Sequence, residues 1–327
     1  MLPALRPCPA VAEPTTLPCG SAGVPSTAIG GGTVVAVPDG RTLLLADGRE
    51  VLLAGLEVAP ADTPAGRAAR TALAVAAEGR AVVLAPATAP GGRPVADRWG
   101  RMVAWAAAEG GPPGAVPPNP LPPVPLQLAL LAQGHARVAA RVDDEACLPA
   151  LRAAERAARA ANLGLWSDPV YAAVPAERPA EILKRRGGFA VVVGQIDSVR
   201  ESGGTIYLNF GRRWAEAFAA TIPKRIERTL AASGLVPGRL AGRRIEVRGV
   251  VEQRGGGPRI EIVRAEQLAL DGAGSTPSRQ DRVRQDDVQQ VRARQEQDRA
   301  QQGRPQPDLP QPPRAEDEDR PRDGGTR

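Results

Sequence analysis

Twice along this chain, three short strand-like runs joined by tight turns lead into a helix-like run, and two more strand-like runs follow. In the first copy VVAV (34–37), TLLL (42–45) and VLLAGL (51–56) are separated by Asp39-Gly40 and Asp47-Gly48, dipeptides whose backbone freedom suits two-residue hairpins. Thr63 then stands as an N-cap with Pro64 at the first helical position, an Ala-rich stretch carries the helix to Glu78, and Gly79 stops it. AVVLA (81–85) and RMVAWA (101–106) supply the fourth and fifth strands. In the second copy FAVVVGQIDSV (189–199), TIYLNF (205–210) and WAEAFAATI (214–222) read as strands, KRIERTLAASG (224–234) as the helix, and RRIEVRGVVEQR (243–254) with RIEIV (259–263) as the last two strands.

Five strands with a helix between the third and the fourth is the order of the OB-fold, so two such barrels in tandem are predicted. A Pro/Gly loop (110–125) and two further helices, over 126–132 and 148–162, lie between them. The second of these helices places Leu148, Leu151, Ala154, Ala158 and Ala161 on one face. Residues 1–30 read as a flexible leader, 171–187 as a linker, and 272–327 as a disordered polyampholyte tail with almost nothing apolar to bury.

Composition narrows the chemistry. No apolar run approaches the roughly 18 residues that a membrane helix needs, so no transmembrane segment is expected. One His and three Cys cannot assemble a zinc, haem or iron-sulfur site within one chain, which leaves carboxylates as the ligands for any metal. The formal charge of +6 is localised: residues 181–271 carry 16 basic and 10 acidic side chains, while 1–180 carry 15 of each and 272–327 carry 11 of each. A basic excess confined to one module is the electrostatic footprint of a nucleic-acid binder, and equally of a plain solvated basic surface.

Four blocks then occur in order: VVAVPDGRTLLLADGREVLLAGLEVAP (34–60), DRWGRMVAW (97–105), LALLAQGHARV (128–138) and LRAAERAARAANLGLW (151–166). Together they resemble the staphylococcal-nuclease (thermonuclease) family over about residues 33–168. The second barrel, with GGTIYLNFGRRWAEAFAATI (203–222), is similar to the domain that follows the nuclease-like one in a bacterial branch of that family. The resemblance implies a mainly β fold with α: a staphylococcal-nuclease-type OB-fold barrel with helices over 31–170, followed by a second OB-like barrel over 188–271.

Enzymes of that family cleave phosphodiesters with one calcium, two arginines that stabilise the phosphorane charge, and a glutamate base. The first carboxylate ligand belongs in a DGDT turn, which here reads Asp39-Gly40-Arg41-Thr42, with Arg41 where a ligand should stand. The second falls on Glu57, the base on Pro60 and the first arginine on Leu52, and only the second arginine persists, as Arg101. Each position has a plainer reading: Asp39 as a hairpin former, Glu57 as a surface acid, Arg101 as a strand residue paired with Asp97. Loss of a general base costs roughly 10²- to 10⁴-fold and loss of a phosphoryl-clamping arginine roughly 10³- to 10⁵-fold. A nuclease scaffold with a weakened or absent hydrolytic site is therefore expected, needing no cofactor. The alternatives are an active calcium-dependent nuclease using Glu57, Asp62 and Arg101, and a non-catalytic envelope or protein-interaction scaffold.

Five of the nine aromatic residues lie within 30 positions of the second barrel, beside several arginines. Strand alternation sends Ile206, Leu208 and Phe210 inward and Tyr207 outward with Asn209. Tyr207, Arg212, Arg213, Trp214, Lys224 and Arg225 are the candidates for binding a single-stranded nucleic acid, Trp214 being open between surface and core, while Phe189 and Phe218 are read as core. A Cys19–Cys147 disulfide would tie the leader to the first barrel, against idle thiols as the alternative. If a signal peptide is missing upstream of Met1, the export or periplasmic location that the resemblance implies would fit such a bridge.

Overall fold

A computed structural model describes residues 31–87, 94–109, 124–142 and 147–270. The leader 1–30, the tail 272–327 and Cys19 lie outside them, and the proposed Cys19 bridge with them; Cys147 is buried.

The first half contains β1 (Gly32–Asp39), β2 (Thr42–Leu45), β3 (Glu50–Leu53), β4 (Leu56–Glu57), α1 (Pro64–Ala77), β5 (Ala81–Pro86) and β6 (Met102–Ala108). After these come β7 (Val124–Pro125), α2 (Leu126–Ala132), β8 (Arg137–Val138) and α3 (Leu148–Ala160). β3, β2, β1, β5 and β6 are neighbours in that order, and β6 returns to pair in parallel with β3, closing a barrel. Val34, Leu43, Val51, Leu84 and Ala106 fill it, and Leu73 of α1 with Leu131 of α2 pack onto the same core. α1 starts where the sequence places it: Thr63 Oγ1 accepts from Gly66 N at 3.0 Å and itself donates to the Pro60 carbonyl at 2.7 Å. A Cβ on Gly66 would collide with that same carbonyl, so this turn admits only glycine there.

The second half contains β9 (Val174–Pro175), α4 (Pro179–Leu183), β10 (Phe189–Gln195), β11 (Ser198–Ser202), β12 (Thr205–Asn209) and β13 (Ala219–Pro223). It ends with α5 (Glu227–Ala232), β14 (Arg244–Val250), β15 (Glu252–Arg254), β16 (Gly257–Glu261) and β17 (Leu268–Leu270). β10 runs into β11 and β14 into β15, and with those pairs taken as single bent strands the pairing repeats the first barrel. First and fourth strands are antiparallel (β10 with β14), and third and fifth are parallel (β13 with β16). The core comprises Ile206, Leu208, Phe218, Ile222, Val247 and Ile260.

Three sequence expectations are corrected here. The run 189–199 breaks at Ile196-Asp197, where the chain bends from one sheet into the next. Residues 214–218 are not strand: Glu216 N and Ala217 N both bond the Arg213 carbonyl in a turn, and β13 begins only at Ala219. Phe189 is half-buried with the Arg137 guanidinium 4.8 Å from its ring centre, whereas Phe218 is core.

The two barrels meet through a buried charged cluster. Arg248 of β14, 1% exposed, donates to both carboxylate oxygens of Glu155 in α3 at 3.2 and 2.8 Å and to the Val138 carbonyl at 2.7 Å. It also pairs with Glu246, which accepts from Arg152 at 2.7 Å and Arg159 at 3.0 Å. Glu155 in turn accepts from Val138 N at 2.7 Å, and Arg152 donates to the Glu266 carbonyl at 2.6 Å. Burial alone would raise the Glu246 pKa, but Arg248, Arg152 and Arg159 outweigh it and hold the carboxyl down to about 2, below the usual 4.5. A depressed carboxylate contributes stability that is complete above pH 4.5 and is lost as the pH falls toward 2. Urea midpoints measured from pH 7 to pH 3 should therefore drop steeply below about pH 4.5, and Glu246→Gln should flatten that drop. Parallel profiles in the two proteins would refute the assignment.

Candidate functional site

Two surfaces gather residues of functional type, one on each barrel. On the first, the β1–β2 hairpin pairs Asp39 with Thr42. The Asp39 carboxylate is turned back into its own turn: one oxygen accepts from Arg41 N at 2.9 Å, the other from Thr42 Oγ1 at 3.0 Å. The Arg41 side chain leaves this turn toward β4, where its Nη1 donates to the Leu56 carbonyl at 3.3 Å and stands 3.9 Å from Glu57 Oε2.

Glu57 lies opposite Arg137 in the short β4–β8 ladder. Burial raises the carboxyl's pKa, with Arg41 and Arg137 acting in the opposite sense. Arg137 is 4% exposed and lies over the Tyr171 and Phe189 rings at 5.5 and 4.8 Å; burial lowers its pKa to about 10 against the support of Glu57 and Glu155. Glu57 thus stands between two guanidinium groups.

The remaining positions serve other ends. Leu52 sits half-buried in β3 between Thr42 and Val103. Pro60 is exposed, and its carbonyl accepts Thr63 N and Oγ1 at the start of α1. The Asp62 carbonyl accepts from Arg67 at 2.6 Å. Arg101 lies just before β6, its Nε bonded to Asp97 Oδ2 at 2.7 Å, while Asp97 Oδ1 accepts Trp99 N and Arg101 N around a turn that Gly100 closes at φ +80°. The structure brings Arg41 and Glu57 together and gives Arg101 to Asp97.

Calcium takes six to eight oxygen ligands, several of them carboxylate. Here both Asp39 oxygens are engaged in the turn, Glu57 faces Arg41, and among the described residues no three His, Cys, Asp or Glu side chains converge. A divalent ion at Glu57 would meet the Arg41 guanidinium at about 4 Å, a repulsion of several kcal/mol at an effective dielectric near 20. Among the described residues, these donors do not fit calcium.

On the second barrel, the outer faces of β11, β12, β13 and β16 floor a groove of about 500 Å³. The strand register places Arg200, Tyr207, Thr221 and Glu261 in one row across the four strands. The 210–218 loop walls one end with Trp214, which is 66% exposed, and the β15–β16 hairpin with Arg254 and Gly255 continues that wall, its Gly256 and Gly257 lying against the Ala215 carbonyl. Arg259 fastens the loop: its guanidinium donates to the Trp214 carbonyl at 2.8 Å and the Ala217 carbonyl at 2.7 Å.

Of the six binding candidates, Tyr207 and Trp214 line this groove. Arg212 and Arg213 are exposed on the same loop as Trp214. Lys224 and Arg225 lie outside it on the turn over Lys224–Ile226, with Lys224 paired to Glu201 and Glu227. Sequence reasoning missed Arg200, Arg254, Arg259 and Glu261. Arg200 and Glu261 follow from extending the alternation of Tyr207 across the neighbouring strands, but the partners in that row require the register.

The family model described as staphylococcal nuclease homologue matches residues 57–168, a segment that holds Glu57, Pro60 and Arg101 and starts after Asp39, Arg41 and Leu52. No curated protein matches the chain. Residues 57–168 are thus a staphylococcal nuclease-like domain, in a chain that is sheet-rich with α-helices and, among the described residues, has no helix long and apolar enough to cross a membrane.

Proposed function

We propose that this chain is a nucleic-acid-binding protein on a staphylococcal-nuclease scaffold whose hydrolytic centre has been replaced by an internal ion pair. The observation that carries this reading is Arg41, whose guanidinium stands 3.9 Å from Glu57 in the space a metal would share with that carboxylate. Leu52 stands in the place of a clamping arginine and Pro60 in the place of a base, which leaves Arg101, bonded to Asp97, as the one family arginine retained. Binding does not need those groups. The second barrel has the strand order of folds that lay oligonucleotides across their second and third strands, and the groove is floored by the corresponding strands β12 and β13 and bounded by the 210–218 loop and the β15–β16 hairpin.

Full-length protein incubated with calcium should leave single- and double-stranded DNA and RNA intact, as it does with a chelator. Calcium-dependent cleavage that disappears in Arg101→Ala would overturn the silent-centre reading. Anisotropy titrations should show single strands bound at low salt, with log affinity falling linearly as log salt rises.

A further inference from the structure

We infer that the groove of the second barrel selects an unpaired guanine, holding the base between Tyr207 and Trp214 and reading its edge with Glu261. This rests on the nucleic-acid-binding reading above and adds to it a base preference.

The argument starts from what each group in the groove has left to offer. Tyr207 points outward from the middle of β12, half-exposed, while Ile206 and Leu208 on either side of it are core. Trp214 presents its indole to solvent from a loop whose carbonyls Arg259 has fixed, so the aromatic wall is in place before any ligand arrives. An aromatic ring on the floor and another at one end of a groove this size suit a flat base, and stacking alone accepts any base.

Cations flank the groove on more than one side, Arg254 and Arg259 lying beside Glu261. Arg200, exposed beside Tyr207 on β11, has no carboxylate partner among the described residues, and Arg212 and Arg213 stand exposed on the Trp214 loop. That side suits phosphates. Glu261 lies two strands away from Tyr207 in the same row, about 10 Å at the usual strand spacing, which matches a purine plus one hydrogen bond. Among the described residues its carboxylate accepts no hydrogen bond; Arg254 stands 3.9 Å away and pairs more closely with Glu252 at 2.7 Å.

A carboxylate on the groove floor that is held only by the long ion pair with Arg254 still has both oxygens open to hydrogen-bond donors. Guanine alone among the common bases offers two adjacent N–H donors on one edge, at N1 and the exocyclic N2, which match the two oxygens of a carboxylate. Adenine and cytosine offer one amino group and uracil one imide N–H. The same geometry in a neutral groove would show no preference.

The test compares fluorescein-labelled eight-nucleotide RNAs, all-uridine or with one central guanosine, by anisotropy with the full chain at low salt. The guanosine strand is expected to bind roughly tenfold more tightly, the scale of one good bidentate base contact. Glu261→Ala should abolish that preference and at the same time raise affinity for the all-uridine strand, because a negative charge leaves the groove; a merely structural role would lower affinity for both. Trp214→Ala and Tyr207→Ala should each weaken both strands about tenfold. Equal affinity for the two strands, or binding untouched by Trp214→Ala and Tyr207→Ala, overturns this assignment and leaves the broader function standing. Failure to bind either strand at low salt removes both.

Discussion

Replacing Arg248 by alanine is expected to remove about 3–5 kcal/mol of folding stability, the usual result of breaking a buried ion pair from one side. In a protein with this much ordered chain that corresponds to a fall in Tm of roughly 10 °C. Without the guanidinium, Glu155 keeps only the Val138 amide, and Glu246 keeps Arg152 and Arg159 but loses its most buried partner. The Val138 carbonyl is left without its donor. Lys224→Ala, which breaks two exposed ion pairs, should leave the unfolding midpoint close to that of the parent. Chemical denaturation of both variants against the parent checks the contrast, and similar midpoints for Arg248→Ala and Lys224→Ala would show that the cluster contributes nothing special.

Phe218→Ala is expected to cost a similar amount, about 3–5 kcal/mol, for a different reason. The ring is fully buried, packs on Phe210 at 5.0 Å between centres, and leaves a cavity in the middle of the second core. The ring also packs the ends of the loop that carries Trp214 onto the core through Phe210, beside the backbone bond from Phe210 N to the Phe218 carbonyl that the variant keeps. The variant should therefore lose single-strand affinity even at temperatures where circular dichroism reports a folded protein. Retention of full affinity with the expected loss of stability would detach the loop's position from the core beneath it.

Local chemistry made much of the fold readable. The Asp-Gly turns, the Thr63-Pro64 start and the alternation of TIYLN each specify their structure within a few residues, and α1, β2 and β12 appear where those signals put them. The misreadings arise where a distant segment decides. WAEAF has strand-like composition, yet Arg259, more than forty residues on, holds it as a loop. In α3 the predicted face of Leu148, Leu151, Ala154, Ala158 and Ala161 does hold buried Leu151 and Ala158, with Leu148 and Ala154 packed on the core, but Arg152 and Glu155 are buried beside them. That face meets the outward side of β14, where Glu246 and Arg248 alternate with the core residues Ile245 and Val247. Hydrophobic periodicity is blind to an interface made of charges.

The candidate sites divide in the same way. The substitutions at Arg41, Leu52 and Pro60 are visible as letters. That Arg41 reaches Glu57, and that Asp39 is spent on its own turn, depends on side-chain directions that no spacing rule supplies. Tyr207 was identifiable from its strand, whereas Arg200 and Glu261 become its neighbours only once β11, β13 and β16 are in register.

For the carboxylates of Glu155 and Glu246, the neighbouring barrel does what bulk water does for most acids: it supplies the surroundings in which a negative charge can rest. A lineage that dropped either half would have to rewrite these acids and their arginines in the same stroke. Inheritance of the pair as a single block is thereby favoured over free recombination of its parts.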